Sequence, residues 1–239
     1  DLYSGEPRLE IGRVSELLQA QLLQPLGHNP VEPGASFTDL NLIASTGPAR
    51  VAFDEFTPLF EREGLRATVS AEAGSDGTRG YEGVATGLAG RFALSAGQYH
   101  FETDGFRPNN DLTHDISDIF AQAASTEQIG VQAEHRRRRT SEGDREIRYD
   151  ADLFIRGLDG DIDEDILRVG ANVALAPDVN LLLSSIYSER TQKFDFNYST
   201  QDVITGEDFL GNRTEHDKED AVQQEAQLIV RRGSAALRL

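Results

Sequence analysis

A two-residue beat runs through long stretches of this chain. At Leu65, Ala67, Val69, Ala71 and Ala73 the odd positions are apolar, and between them stand Arg66, Thr68, Ser70 and Glu72. The beat returns as Ile129, Val131 and Ala133 against Gln132, Glu134 and Arg136, and as Leu167, Val169, Ala171, Val173 and Leu175 against Arg168, Gly170 and Asn172. Near the end, Val222, Ala226, Leu228 and Val230 oppose Gln223, Glu225 and Gln227. Successive side chains of a strand point to opposite sides, so each run has one apolar and one polar face. Several runs approach the roughly 9–11 residues that a tilted strand needs to cross a bilayer. The beat therefore admits two folds, an outer-membrane barrel and a soluble sheet.

Composition leans towards the first. Of 239 residues only 38% are hydrophobic and 8% aromatic, with no tryptophan, where a soluble sandwich would carry denser Ile, Leu and Phe runs. A barrel with a wet lumen needs apolar residues on one face of a single layer. The net charge of −18, from 41 acidic against 23 basic residues, argues against nucleic acid as a partner. Affinity for nucleic acid rests mainly on neutralising phosphates. Without cysteine the chain has no disulfide, thiol nucleophile or thiolate metal site. No stretch of about 18 apolar residues occurs, which excludes a transmembrane helix and leaves strands untouched. The absence of methionine, and an end at Ser234-Ala235-Ala236-Leu237-Arg238-Leu239 that reads as mid-strand, lead to the expectation of a fragment.

Two regions follow. Residues 1–63 combine an amphipathic helix and an extended connector. Leu9, Ile11, Val14, Leu17, Leu18, Leu22 and Leu23 fall near helical spacing, and Pro25, Pro30 and Pro33 end the helix. Residues 64–239 form an antiparallel β-barrel portion. Strands are predicted at 65–74, 81–88, 91–103, 117–125, 129–139, 145–154, 166–175, 180–198 and 221–231, with a last one from 234. The segments 104–116, 155–165 and 199–220 read as long acidic loops. Alternation of short and long connections holds if 129–139 and 145–154 form one long, bulged strand.

The stretch Gly97-Gln98-Tyr99-His100-Phe101-Glu102-Thr103-Asp104-Gly105-Phe106-Arg107-Pro108-Asn109-Asn110-Asp111-Leu112 resembles a known bacterial type. So do Gln24-Pro25-Leu26 with Asn29-Pro30-Val31, and Phe53-Asp54-Glu55-Phe56 with Pro58-Leu59-Phe60. These segments resemble the C-terminal β-barrel region of proteobacterial outer-membrane proteins with upstream tetratricopeptide repeats. The barrel is similar in style to TonB-dependent receptors. The resemblance implies an all-β antiparallel transmembrane barrel, a bacterial outer-membrane location and a role in transport, secretion or surface assembly. The implied partners are outer-membrane lipid and the periplasmic repeat region of the same protein, with the solute open. The resemblance transfers no functional residues. The chain departs from a complete member in lacking the repeats and a terminal aromatic residue.

In the barrel reading Arg66, Glu72, Glu134, Arg136, Arg138, Arg168 and Glu225 face the lumen, while Leu167, Val169, Val173 and Leu175 face lipid. In the bland reading the charges form the solvated face of a soluble extracytoplasmic sheet that binds a carbohydrate or protein. The run Arg136-Arg137-Arg138-Arg139 could meet lipid phosphates, but pairing with acidic loops is the favoured expectation. Asp159, Asp161, Asp163 and Asp165 alternate as calcium ligands often do. Glu164 nevertheless stands where an EF-hand needs glycine, and Gly170 where it needs glutamate. A solvated acidic loop is the better reading there, and no cofactor is expected. Tyr99, Phe101, Phe106, Phe120, Phe154, Tyr187, Phe194, Phe196 and Tyr198 gather towards strand ends, as aromatic girdles do. The five histidines show no ligand spacing, and no nucleophile elbow, P-loop or dinucleotide fingerprint occurs. The expectation is a protein without enzymatic chemistry.

Overall fold

The computed structural model describes residues 63–145, 155, 157–201, 208–232 and 235–238. The helix and connector expected within 1–63, and the strand expected at 145–154, lie almost wholly outside those residues. The described chain is all-β. Its strands are β1 (Gly64–Ala73), β2 (Arg79–Ala89), β3 (Phe92–Thr103), β4 (Leu112–Ala124), β5 (Ile129–Glu142), β6 (Leu158–Ala176), β7 (Val179–Gln201), β8 (Asp208–Arg232) and β9 (Ala235–Arg238). They form one antiparallel sheet in sequence order, with β1 and β9 at its two edges. The sheet is open.

Connections differ between the two ends of this meander. At one end β2–β3, β4–β5, β6–β7 and β8–β9 are joined through residues 90–91, 125–128, 177–178 and 233–234. At the other end the links are residues 74–78, 104–111, 143–157 and 202–207. Gly90, at φ 55°, makes the tight β2–β3 turn possible, since a left-handed backbone suits glycine best. Strand length grows across the sheet, from 10 residues in β1 to 25 in β8. At about 3.3 Å per residue that is roughly 33 Å rising to 80 Å.

The growth corrects the expected loops. Residues 112–116 belong to β4, residues 158–165 to β6, and 199–201 with 208–220 to β7 and β8. In each case the apolar face turns polar while the backbone ladder continues. Asp115 still pairs with Arg139, Asp163 with Thr191, and Asp217 with Gln192. A hydrophobic beat marks a strand only where one face is apolar, so it falls silent in these extensions. Strand β5 ends at Glu142, residues 143–145 carry no strand, and the bulged continuation expected over 145–154 lies almost wholly outside the described residues.

The stretch that carries the family resemblance builds a clasp at the long-connection end. Gly105 (φ 73°) and Asn109 (φ 55°) bend the β3–β4 link sharply. The Asn109 side chain then donates to the carbonyls of Ile155 at 2.8 Å and Leu158 at 2.9 Å. Buried Asp144 accepts from the Ile155 amide at 2.6 Å and lies 3.6 Å from the Arg107 guanidinium. The Asp144 carbonyl accepts from Asn110 at 2.7 Å and from Arg107 at 3.1 Å. This link, expected as part of a long acidic loop, is tied to the β5–β6 connection.

Candidate functional site

Pairing register assigns every strand residue to one of two faces. One row runs Arg66, Thr86, Ser95, Phe120, Glu134, Arg168, Ile186, Gln223 across eight strands. All seven charged candidates, Arg66, Glu72, Glu134, Arg136, Arg138, Arg168 and Glu225, share this face. It is the shielded one. Buried here are Tyr99, Phe101, Leu112 and Ile116 in one apolar cluster, and Leu182 with Ile186 in another. Between them lies charge.

Asp118, Glu134 and Arg168 are each no more than 3% exposed. Arg136 reaches Asp118 at 3.2 Å and Glu134 at 3.4 Å, and Arg168 pairs with Glu134. Arg138 pairs with Glu164 one step further along the same face. Two acids and two guanidiniums thus balance in the first group. Such pairs offset the cost of desolvation only while each partner is present. Asp118 was missed from sequence. The available signal was an acid in register with Ile116 and Phe120, which needs an opposite charge on a neighbouring strand.

The other face carries almost all the exposed large apolar residues. Leu65, Val69, Phe92, Leu94, Ile119, Ile129, Val131, Leu167, Val169, Leu175, Leu183 and Val222 are between 36% and 84% exposed and all stand on it. They occupy the half of each strand nearest the short turns and form one band across the sheet. From Leu167 to Leu175 the band covers nine residues of β6, roughly 30 Å along the strand. Val173 belongs to the same face, opposite Ile129 and Leu181.

Above the band this face becomes charged. Asp159, Asp161, Asp163 and Asp165 lie here on β6, not on a loop, with Asp163 and Asp165 in register with Arg139 and Arg137 of β5. Asp163 meets Arg139 at 3.1 Å and Arg137 at 3.4 Å, while Asp165 meets His135 at 3.2 Å. Asp163 and Asp165 therefore act as ion-pair partners along a strand. Among the described residues no group of three or more ligating side chains could hold a metal. Further along, Glu189 accepts from Tyr187 at 3.1 Å and pairs with Lys218 at 2.9 Å. Hydrogen bonds from Lys193 and Thr214 hold the Asp195 carboxyl below its ordinary range. At the far end of β5, burial pushes the Glu142 carboxyl above its ordinary range, against the pull of Arg145 and Arg190.

The aromatics divide between the faces. Tyr99, Phe101 and Phe120 are buried on the charged-cluster face, so they form no outward girdle. Tyr81 and Tyr187 stand outward, where the apolar band gives way to charge. Tyr81 stacks on His100 at 5.0 Å, and His100 in turn meets Asp115 at 2.8 Å. The side chains of Phe154 and Tyr198 lie outside the described residues.

No protein-family model matches the chain, and no curated protein is detectably similar to it in sequence.

Proposed function

We propose that the sheet is part of an outer-membrane β-barrel that serves transport, secretion or surface assembly without covalent chemistry. The observation that carries this reading is the segregation of exposed Leu, Ile, Val and Phe into one band beside the short turns. Apolar area of that extent is costly in water, and soluble monomers rarely expose patches beyond a few hundred Å². Lipid would cover it at no such cost. The band spans about the strand length a bilayer requires, and tyrosines stand at its upper margin. Short turns on one side and long extensions on the other match the periplasmic and outer ends of such barrels. Arg66, Glu72, Glu134, Arg136, Arg138, Arg168 and Glu225 would then line the lumen, with Leu167, Val169, Val173 and Leu175 in lipid. Strands added beyond β1 and β9 would close the wall, because open edges are not tolerated in hydrocarbon. Outer-membrane lipid and a periplasmic repeat region are the partners this reading implies.

The open edges also favour a second reading, a soluble extracytoplasmic sheet whose apolar band is covered by another protein layer. Fractionation separates the two. The full-length protein should remain with outer membranes through extraction with alkaline carbonate and urea. Quantitative release into the supernatant would favour the soluble sheet.

A further inference from the structure

We infer that the shielded face carries a binding site for a small, neutral, hydroxyl-rich solute, a sugar or sugar alcohol, beside the β4–β5 turn. A cavity of about 310 Å³ opens there, between that turn and the adjoining rows of β4 to β7. Its size falls at the small end of ligand pockets, which run from roughly 300 to 1,000 Å³. Five carboxamides line it: Gln122, Gln132, Asn172 and Asn180 on the strands, and Gln128 in the turn. Gln122 and Gln132 are directly opposite across β4 and β5. Gly130, opposite Asn172, leaves the room, for a Cβ built there would meet nothing within 4 Å.

Gln132 is the telling residue. It is 4% exposed, yet neither its amide nitrogen nor its amide oxygen has a hydrogen-bond partner among the described residues. Buried polar groups in folded proteins are almost always satisfied, because leaving one unpaired is unfavourable. A carboxamide offers a donor and an acceptor side by side. A hydroxyl group is likewise both, so a polyol can satisfy each amide through neighbouring hydroxyls. The charged residue of the lining is Glu127, in the turn. The nearby Asp118, Glu134, Arg136 and Arg168 neutralise one another. A neutral ligand therefore fits better than an ion. The carboxamides Gln122, Gln132, Asn172 and Asn180 all stand on the shielded face, so the proposal does not depend on whether the opposite face meets lipid.

The test is a titration of the refolded full chain in detergent micelles with maltose and with trehalose, read from the side-chain amide signals in nitrogen–proton spectra. Gln132, Gln122 and Asn180 should shift saturably, while Asn109, in the clasp at the other end, should not move. Gly130→Leu, which fills the cavity without removing a polar group, should weaken the response at least about tenfold with an unchanged fold. Gln132→Leu should abolish it and leave the melting temperature unchanged or higher. The proposal is overturned by an absence of saturable shifts with either sugar, by equal titration of Gly130→Leu, or by citrate binding better than sugar. A Gln132→Leu protein that melts lower would also overturn it, since the amide would then be structural. Sugar binding by a chain that fails the membrane test would place the same site on a soluble sheet.

Discussion

Arg136 on β5 holds the Asp118 carboxylate of β4 at 3.2 Å, from the position directly across the ladder, with both side chains largely shielded from water. Glu134 and Arg168 extend this contact across β5 and β6. Removing one member strands its partner. Asp118→Ala or Arg168→Leu should therefore destabilise the fold by about 3–5 kcal/mol, as broken buried pairs do. Replacing Glu134 and Arg168 together by apolar residues of similar size should cost clearly less than the sum of the single changes. Urea unfolding of the refolded protein measures all three.

Val169 and Val173 stand on the apolar band and Asn172 on the opposite face. In a bilayer, arginine at either valine should destabilise by about 2–4 kcal/mol near the midplane, whereas arginine at Asn172 should be tolerated. Reversible unfolding in lipid vesicles gives the comparison. Equal tolerance at both kinds of position would count against a lipid-facing band.

The pairs between Arg137 or Arg139 and Asp163 are partly exposed, with side chains 43% to 59% accessible. Exposed pairs contribute roughly 0.2–1 kcal/mol and are screened by salt. Asp163→Asn should thus cost under about 1 kcal/mol, a difference that closes in about 1 M salt. This contrasts with the buried cluster, which salt should hardly touch.

The clasp rests on backbone geometry. A methyl group on Gly105 would both strain a left-handed residue and run into Asn110. Gly105→Ala should cost about 1–3 kcal/mol. It should also raise the hydrogen-exchange rate of the Asp144 and Ile155 amides well above those of β4 and β5. Exchange that stays uniform across these groups would mean the clasp is not a cooperative unit.

Glu142 has a raised folded-state pKa caused first by burial. The folded chain therefore binds this proton more tightly than the unfolded chain does. The contribution to stability is present below the ordinary glutamate range and is lost as pH rises through the folded value. Glu142→Gln should remove that part of the pH dependence, as read from unfolding at mildly acid and at neutral pH.

How much of this was legible follows from what the beat reports. Leu167 to Leu175 announced β6 because its outward side chains are apolar there. Leu158 to Ile166 continues the same strand with Asp159, Asp161, Asp163 and Asp165 outward, and the beat vanishes although the ladder does not. Pairing of the arginine run with acidic residues was read from charge alone. That the partners lie across a strand ladder could not be read, because register between β5 and β6 is not written in either segment separately. Asp118 and Gln132 became informative only when their neighbours, Arg136 and Gly130, were placed around them.

The central claim concerns what the apolar band touches. Because the chain has no cysteine, single cysteines can be placed in turn from Ile166 to Leu175 in the full-length protein and spin-labelled in lipid. Oxygen access peaking at Leu167, Val169, Ala171 and Val173, with aqueous access at the residues between, is the predicted result. Odd positions shielded from both reagents would contradict the membrane reading and place a protein layer over the band.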